Sequence, residues 1–266
     1  MSTSSTQPRS RARKTQARQR QILDRVVAEG SCSAQELSAV FDVSIMTIHR
    51  DLDELERRGV VRKFHGGVTA LPSAVFEAQM SFRMAANQNQ KERIAQAALR
   101  HVEPGSVLLL DDSSTVLQMV SGLADLAPLH VATTCMTALR QLSEEADDGL
   151  RIIGLGGDYD AMHDSFVGSA CVEQIEGIRA DAFFMSTSAV NATDCFHQEE
   201  RIVSVKRAMM RVATKRYLLV DGSKFGKVAL HKLAPLHDFD LIICDEDTPA
   251  EALAQLSHAG IAYEIA

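Results

Sequence analysis

No C-x-x-C pair occurs among the five cysteines, Cys32, Cys135, Cys171, Cys195 and Cys244, which are scattered along the chain and odd in number. That excludes a disulfide framework and a thiolate metal site, and leaves five small apolar side chains suited to a reducing cytoplasm. The nine histidines form neither H-x-x-x-H nor H-E-x-x-H, so neither a metal nor another cofactor is expected. No apolar run approaches the roughly 18 residues that a membrane span needs. Residues 1–20 contain no acid, six Arg/Lys, and only Met1, Ala12 and Ala17 as apolar residues. Without an apolar face this stretch cannot act as an organelle transit peptide, and residues 1–17 read as a disordered basic tail, either plainly solvated or an arm that adds phosphate contacts to the adjoining domain. There is no internal repeat.

What is present is uneven in charge. The 266-residue chain has a net charge of −7, but residues 1–71 hold twelve Lys/Arg against eight Asp/Glu, and the remainder sixteen against twenty-seven. A basic head on an acidic body is the outline of a nucleic-acid-binding module carried by a larger domain.

The stretch from Val43 to Gly67 organises the head. Ser44 is a good N-cap, and Ile48, Leu52 and Leu55 follow at i, i+4 and i+7, one apolar stripe on a helix. Ile45, Met46, Thr47, His49 and Arg50 lie near its start, mostly off that stripe. Asp51, Asp53, Glu54 and Glu56 come later. Such a helix suits a polyanion only if it enters tip first, as the second helix of a helix-turn-helix enters the major groove. Gly59 is expected to stop it. Val60–Phe64, Gly66-Gly67 and Val68–Leu71 read as a hairpin, with Arg62, Lys63 and His65 near its turn as phosphate-facing cations. Upstream, Ile22/Leu23 and Val26/Val27 mark a first helix over Arg18–Glu29. Ser33 with Glu36 is a capping-box signature opening a short helix, AQELSAVF, expected to bury Leu37 and Val40.

This run resembles the N-terminal winged helix-turn-helix of the DeoR family of bacterial transcriptional regulators. The family pattern stands here as Val43-Ser44, Thr47-Ile48-His49-Arg50-Asp51-Leu52, Leu55, Gly59, Arg62 and His65-Gly66-Gly67, with His49 in place of the first of two usual arginines. The resemblance implies operator DNA as a partner, contacted by Ser44, Ile45, Met46, Thr47, His49, Arg50, Arg62, Lys63, His65, Gly66 and Gly67.

Residues 72–90 read as a linker with local helical character, and residues 91–266 as a second domain of α/β class. Short continuous apolar strands (Val107–Asp111, His130–Thr133, Arg151–Leu155, Ala182–Ser186, Tyr217–Val220, Asp240–Cys244) alternate with helices, which argues for a mostly parallel sheet covered on both faces. Ligands of such sheets sit outside the carboxyl ends of the strands. Those ends carry Asp111-Asp112-Ser113-Ser114-Thr115 leading into a helix over 114–123, then Thr133-Thr134, Gly156-Gly157 and Asp221-Gly222-Ser223-Lys224. A helix N-terminus with hydroxyls, a glycine pair, one carboxylate and one ammonium together suit a phosphorylated polyol.

The same residues resemble the C-terminal sensor domain of that family, which has the fold of ribose-5-phosphate isomerase and glucosamine-6-phosphate deaminase. Leu110–Thr115, Val131–Thr134, Gly156-Gly157, Val205–Met210 and Asp221–Gly226 carry the likeness, with Ser113 where the family has glycine and Thr134 where it has asparagine. The resemblance implies a sugar-phosphate-like effector held by Asp111, Ser113, Ser114, Thr115, Thr134, Gly156, Gly157, Lys206, Asp221, Ser223 and Lys224. It also implies a cytoplasmic repressor of carbohydrate genes that acts as a homodimer or homotetramer. The alternative is an isomerase or deaminase with a DNA-binding appendage. Against it, Asp181–Ser188 carries no acid after its first residue, where the isomerases of this fold place theirs.

Overall fold

The computed structural model describes residues 15, 18–19, 21–23, 25–26, 29–57, 61–64, 66–70, 80–145 and 149–266. The chain divides into two compact units, Met1–Ala86 and Asn87–Ala266.

In the first unit the described residues between 15 and 29 are helical (α1). There follow β1 (Ser31–Cys32), α2 (Ala34–Phe41), α3 (Ile45–Arg57), β2 (Val61–Phe64), β3 (Gly67–Ala70) and α4 (Met80–Ala85), the last inside the stretch expected as linker. The capping box is formed: the Glu36 amide donates to Ser33 Oγ at 3.1 Å and the Ser33 amide to Glu36 Oε2 at 2.7 Å. Leu37 is buried, but Val40 is 49% exposed, contrary to expectation. Phe41, one full turn after Leu37, and Val43 pack against the core instead. Asp42 turns the chain in the left-handed region with φ 49°. The stripe Ile48, Leu52 and Leu55 is buried against Ile22, Val26 and Leu37.

β2 and β3 form the hairpin, and β1 adds to β3 antiparallel, pairing Ser31 with Thr69 and Cys32 with Val68. The sequence reading missed β1, since two residues show no period. Gly66 has φ 91°, and a Cβ on Gly67 would lie 2.7 Å from the Phe64 ring and 2.9 Å from the Cys32 carbonyl. The first glycine is needed for its backbone angle and the second for its missing side chain. The basic tail (apart from Thr15), Gly59 as helix stop, Val60, His65 and residues 71–79 lie outside the described residues.

The second unit opens with α5 (Gln88–Leu99), three residues earlier than its expected start at Lys91. Seven strands form one parallel sheet in the order β15-β14-β12-β9-β4-β5-β6. They are β4 (Val107–Leu110), β5 (Leu129–Thr133), β6 (Leu150–Gly154), β9 (Ala180–Met185), β12 (Ala213–Val220), β14 (Leu241–Cys244) and β15 (Tyr263–Ile265). Between β4 and β5 the expected continuous helix is instead a 3-10 turn (Val116–Met119), one helical turn α6 (Val120–Leu123) and a second 3-10 turn (Ala124–Leu126). The segment lies close on α5: a Cβ on Gly122 would come within 2.5 Å of Leu99.

The remaining crossovers carry α7 (Met136–Glu145), α8 (Ser169–Glu176), α9 (Glu200–Val212) and α10 (Ala250–His258). Leu109, Phe183, Met185 and Leu218 join α8 and α9 in one core. Their strand neighbours Leu108, Leu110, Phe184 and Leu219 are equally buried and point to the opposite face, as strand alternation requires. Both faces are therefore covered.

A hairpin, β7 (Asp158–Asp160) with β8 (Ser165–Val167), and a small antiparallel sheet of β10 (Ala189–Val190), β11 (Asp194–His197) and β13 (His231–Pro235) were not anticipated. Their strands are too short and too polar for periodicity to show. All five cysteines are buried and free. Burial pushes the Cys135 and Cys195 thiols up to about 12.

Candidate functional site

The first candidate surface is the start of α3 with the hairpin beside it. The Thr47 amide donates to Ser44 Oγ at 3.2 Å, and the Ser44 and Thr47 hydroxyls lie 2.9 Å apart in a hydrogen bond. Both hydroxyls are thus engaged in capping the helix. Ile45 and Met46 stand 43% and 61% exposed, and His49 and Arg50 are exposed with them. The first turn holds no acid.

The four acids further along α3 are all engaged within the unit. Asp51 is buried and accepts from Arg18 Nε at 2.6 Å and Gln19 Nε2 at 3.0 Å, which fastens α3 to α1. Glu54 pairs with Arg57 at 2.6 Å. Asp53 takes the Lys63 ammonium, and Glu56 lies 3.8 Å from the same nitrogen while accepting the Lys63 amide at 2.8 Å. The hydrogen bond to Asp53 holds Lys63 above the usual lysine range. Lys63 therefore ties the hairpin to α3. His49, Arg50 and Arg62 are left as exposed nitrogen bases and cations whose side chains have no partner among the described residues.

The second candidate is the carboxyl edge of the parallel sheet. The chain leaves β4 toward β5 on one side and leaves β9 toward β12 on the other, so the β4/β9 boundary is the point where strand order reverses. Asp111 sits there. Its Oδ1 accepts the Ser113 amide at 2.8 Å, and its Oδ2 accepts the Ser186 amide at 2.8 Å together with the Lys206 ammonium. Lys206, 2% exposed, also lies 3.1 Å from Asp112 Oδ1 and donates to the Ser186 carbonyl at 3.2 Å. Burial alone would lower its pKa, but the charges of Asp111 and Asp112 outweigh that and hold it above the ordinary lysine value. Asp111 and Lys206, expected as ligand contacts, are thus committed to each other and fasten α9 to the switch point. A buried ion cannot be left uncompensated, which is the physical reason for the difference.

The other expected residues divide in the same way. Ser113 Oγ accepts the Val116 amide at 3.2 Å, and Thr134 Oγ1 accepts from Ser165 Oγ at 3.0 Å, which ties it to β8. The Gly156 amide donates to Gln174 at 3.1 Å. A Cβ on Gly157 would meet the Val167 carbonyl at 2.5 Å, so that glycine serves close packing. Asp221 Oδ1 accepts from Asn87 Nδ2 at 2.9 Å, from the Ser223 amide at 3.1 Å and from the Ser223 hydroxyl. Asp221 Oδ2, the Ser114 and Thr115 hydroxyls and the half-buried Lys224 ammonium have no partner among the described residues. These groups can still receive a ligand.

Sequence reasoning passed over Ser186, Asn87 and Asp245. Asp245 accepts the Gly222 amide at 2.9 Å and holds the 221–224 turn from below. Only its place directly after an apolar strand hinted at that role. Among the described residues, no group of three or more His, Cys, Asp or Glu is placed to hold a metal, and no helix is long and apolar enough to cross a membrane.

Comparison with known proteins bears on both surfaces. Residues 18–74 match the DeoR-like helix-turn-helix domain, and residues 86–246 match the DeoR C terminal sensor domain. The HTH-type transcriptional regulator YgbI of Escherichia coli strain K12 is 32% identical over 231 residues, covering 87% of this chain and 90% of that protein. The L-fucose operon activator of Haemophilus influenzae is 30% identical over 229 residues, covering 86% and 91%. The glycerol-3-phosphate regulon repressor of Escherichia coli strain K12 is 28% identical over 245 residues, covering 92% and 96%. Among solved structures, ribose 5-phosphate isomerase A of Methanocaldococcus jannaschii overlaps 53% of this chain and 55% of its own, with 17% identity and a TM-score of 0.39. That likeness is too slight to bear on chemistry.

Proposed function

The chain belongs to the DeoR family and is a DNA-binding transcriptional regulator, and from that premise we propose that it is a cytoplasmic repressor of carbohydrate genes, released or tightened on its operator by a small phosphorylated polyol. The observation that carries this reading is the set of uncommitted groups at each surface. In the head they are Arg50, His49 and Arg62 with the apolar pair Ile45 and Met46. Cations without internal partners recruit phosphates and guanine edges, and exposed aliphatic side chains at a helix tip fit thymine methyl groups in the major groove. In the sensor they are Lys224 for a phosphate, the Ser114 and Thr115 hydroxyls beside it in role, and Asp221 Oδ2 for a ligand hydroxyl. Relatives named for regulons of glycerol 3-phosphate and L-fucose support a carbohydrate-like effector.

The same inventory supports binding without chemistry. Sugar-phosphate isomerisation needs a carboxylate base over the substrate carbon. β9 ends at Met185 and is followed by Ser186-Thr187-Ser188, with no acid, and the neighbouring Asp111 is held by Lys206. A ligand held but not turned over has a use only if it changes DNA affinity. One recognition helix reads too few bases for a genome, so a homodimer or homotetramer on repeated half-sites is expected, and light scattering on operator DNA checks it. The direct test is operator titration across a panel of triose, pentose and hexose phosphates. A regulator of this kind shifts its affinity with at least one of them, and a chain indifferent to all of them is not a sugar-phosphate sensor.

A further inference from the structure

Asn87 opens the second unit with a backbone and a side chain that both depart from what its position invites. It precedes α5 in the left-handed region, φ 52° and ψ 41°. Only Asp42 and Asp164 share a positive φ among the described non-glycine residues. An asparagine before a helix ordinarily turns its side-chain oxygen onto a free amide of the first turn, and this one makes no such bond. Its amide reaches across the fold and donates to Asp221 Oδ1 at 2.9 Å and to Ser223 Oγ at 3.1 Å. Both acceptors belong to the turn that carries Lys224. Asn87 is itself exposed, so these bonds can be exchanged for others at little desolvation cost.

We infer that Asn87 is the positioning residue through which a ligand on the 221–224 turn is felt by the chain that carries the head; the inference rests on the sensor reading above. A phosphorylated polyol drawn to Lys224 brings its own donors and acceptors to Ser223 and Asp221, and there it competes with the Asn87 amide. Asparagine enters the left-handed region more readily than most residues with a Cβ, and here its two side-chain bonds add to the hold on that backbone. Once displaced, Asn87 loses both of its side-chain bonds and keeps only the one its carbonyl accepts from the Lys91 amide at 3.1 Å. The helix behind it remains docked, because Gln90 donates to Asp247 at 2.9 Å and Arg93 pairs with Glu246, two contacts that the ligand-facing groups of the 221–224 turn do not make. The change is therefore confined to the residue next to Ala86, where the first unit ends.

Two variants of the full chain test this on an operator selected in vitro from random duplex DNA. Asn87→Gly keeps the left-handed backbone and removes the amide. It should fold with an unchanged melting temperature, bind the active sugar phosphate at least as tightly as wild type, and lose the DNA response, from the roughly 5–150-fold typical of such coupling to under about twofold. Asn87→Asp sets a second carboxylate against Asp221 and should show, without any ligand, the operator affinity that wild type reaches only with it. A wild-type response in Asn87→Gly, or wild-type ligand-free affinity in folded Asn87→Asp, overturns the relay. If no sugar phosphate shifts the wild type itself, the sensor reading falls and takes the relay with it, an outcome told apart because it appears before either variant is compared.

Discussion

The two units use the same principle in opposite settings. In the head, the four acids of α3 are absorbed by Arg18, Gln19, Arg57 and Lys63, and among the described residues of α3 and the hairpin the exposed side chains of His49, Arg50 and Arg62 are left without a partner. In the sensor, Lys206 pairs with Asp111 and Asp112 in the interior, and among the described residues at the carboxyl edge of the sheet a half-buried ammonium, one carboxylate oxygen and two hydroxyls are left without a partner. Internal pairing thus decides which charges face a partner. The head meets a polyanion through solvent, where salt screens each contact, whereas the sensor edge can meet a small anion with fewer, less screened groups. Residue types alone do not show this pairing, because the internal partners of Lys63 and Lys206 lie far from them in the sequence.

Breaking the sensor's internal pairing should have the largest effect. Lys206→Met takes the counter-charge from the buried Asp111 carboxylate and is expected to cost roughly 3–5 kcal/mol, read by urea unfolding of the full chain. Because the folded-state pKa of Lys206 is raised, its stabilisation is complete below the ordinary lysine value of about 10.4 and fades only as pH climbs through the higher folded value. A wild-type stability curve that weakened near neutral pH through this pair would contradict the assignment.

Removing an uncompensated cation should instead spare the fold. Arg50→Ala is expected to weaken operator binding by about 1–3 kcal/mol and to relax specificity at one base pair, measured by titration against single-base operator variants. In the sensor, Lys224→Ala should abolish a ligand response worth about 1–3 kcal/mol while leaving ligand-free DNA binding near wild type. If the variant keeps the full response to an active compound, the phosphate sits elsewhere. The smallest effects sharpen the contrast within the hairpin. Arg62→Ala should lower the salt slope of DNA binding by about 1, whereas Lys63→Met, already neutralised by Asp53, should leave that slope where it was. Equal slopes for the two variants would mean that the Lys63 pair opens on DNA.

Much of the head was legible because its signals are local. A capping box, an i, i+4, i+7 stripe and a glycine pair are each specified within about seven residues, and α2 runs over Ala34–Phe41 as its residues indicated. Val40 failed because two neighbouring apolar residues compete for one core position, and only packing chooses Phe41. In the sensor, the order of strands and helices was legible from apolar runs, and the polar residues read at the strand ends gather at the carboxyl edge of the sheet. β1, β13 and β15 escaped notice because two to five residues carry too little pattern.

By itself the sequence determined the two-part organisation, the acid-free first turn of α3, and the edge of the sheet where polar residues gather, because composition and short-range periodicity follow from neighbouring residues. Only the tertiary structure decided which of those polar residues are free. Asp51 and Arg18 are separated by 33 positions, Asp111 and Lys206 by 95, and Asn87 and Asp221 by 134. No spacing rule relates residues so far apart. Their pairing follows from burial, since a charge carried inside by an apolar strand or helix must find its counterpart there or destabilise the fold.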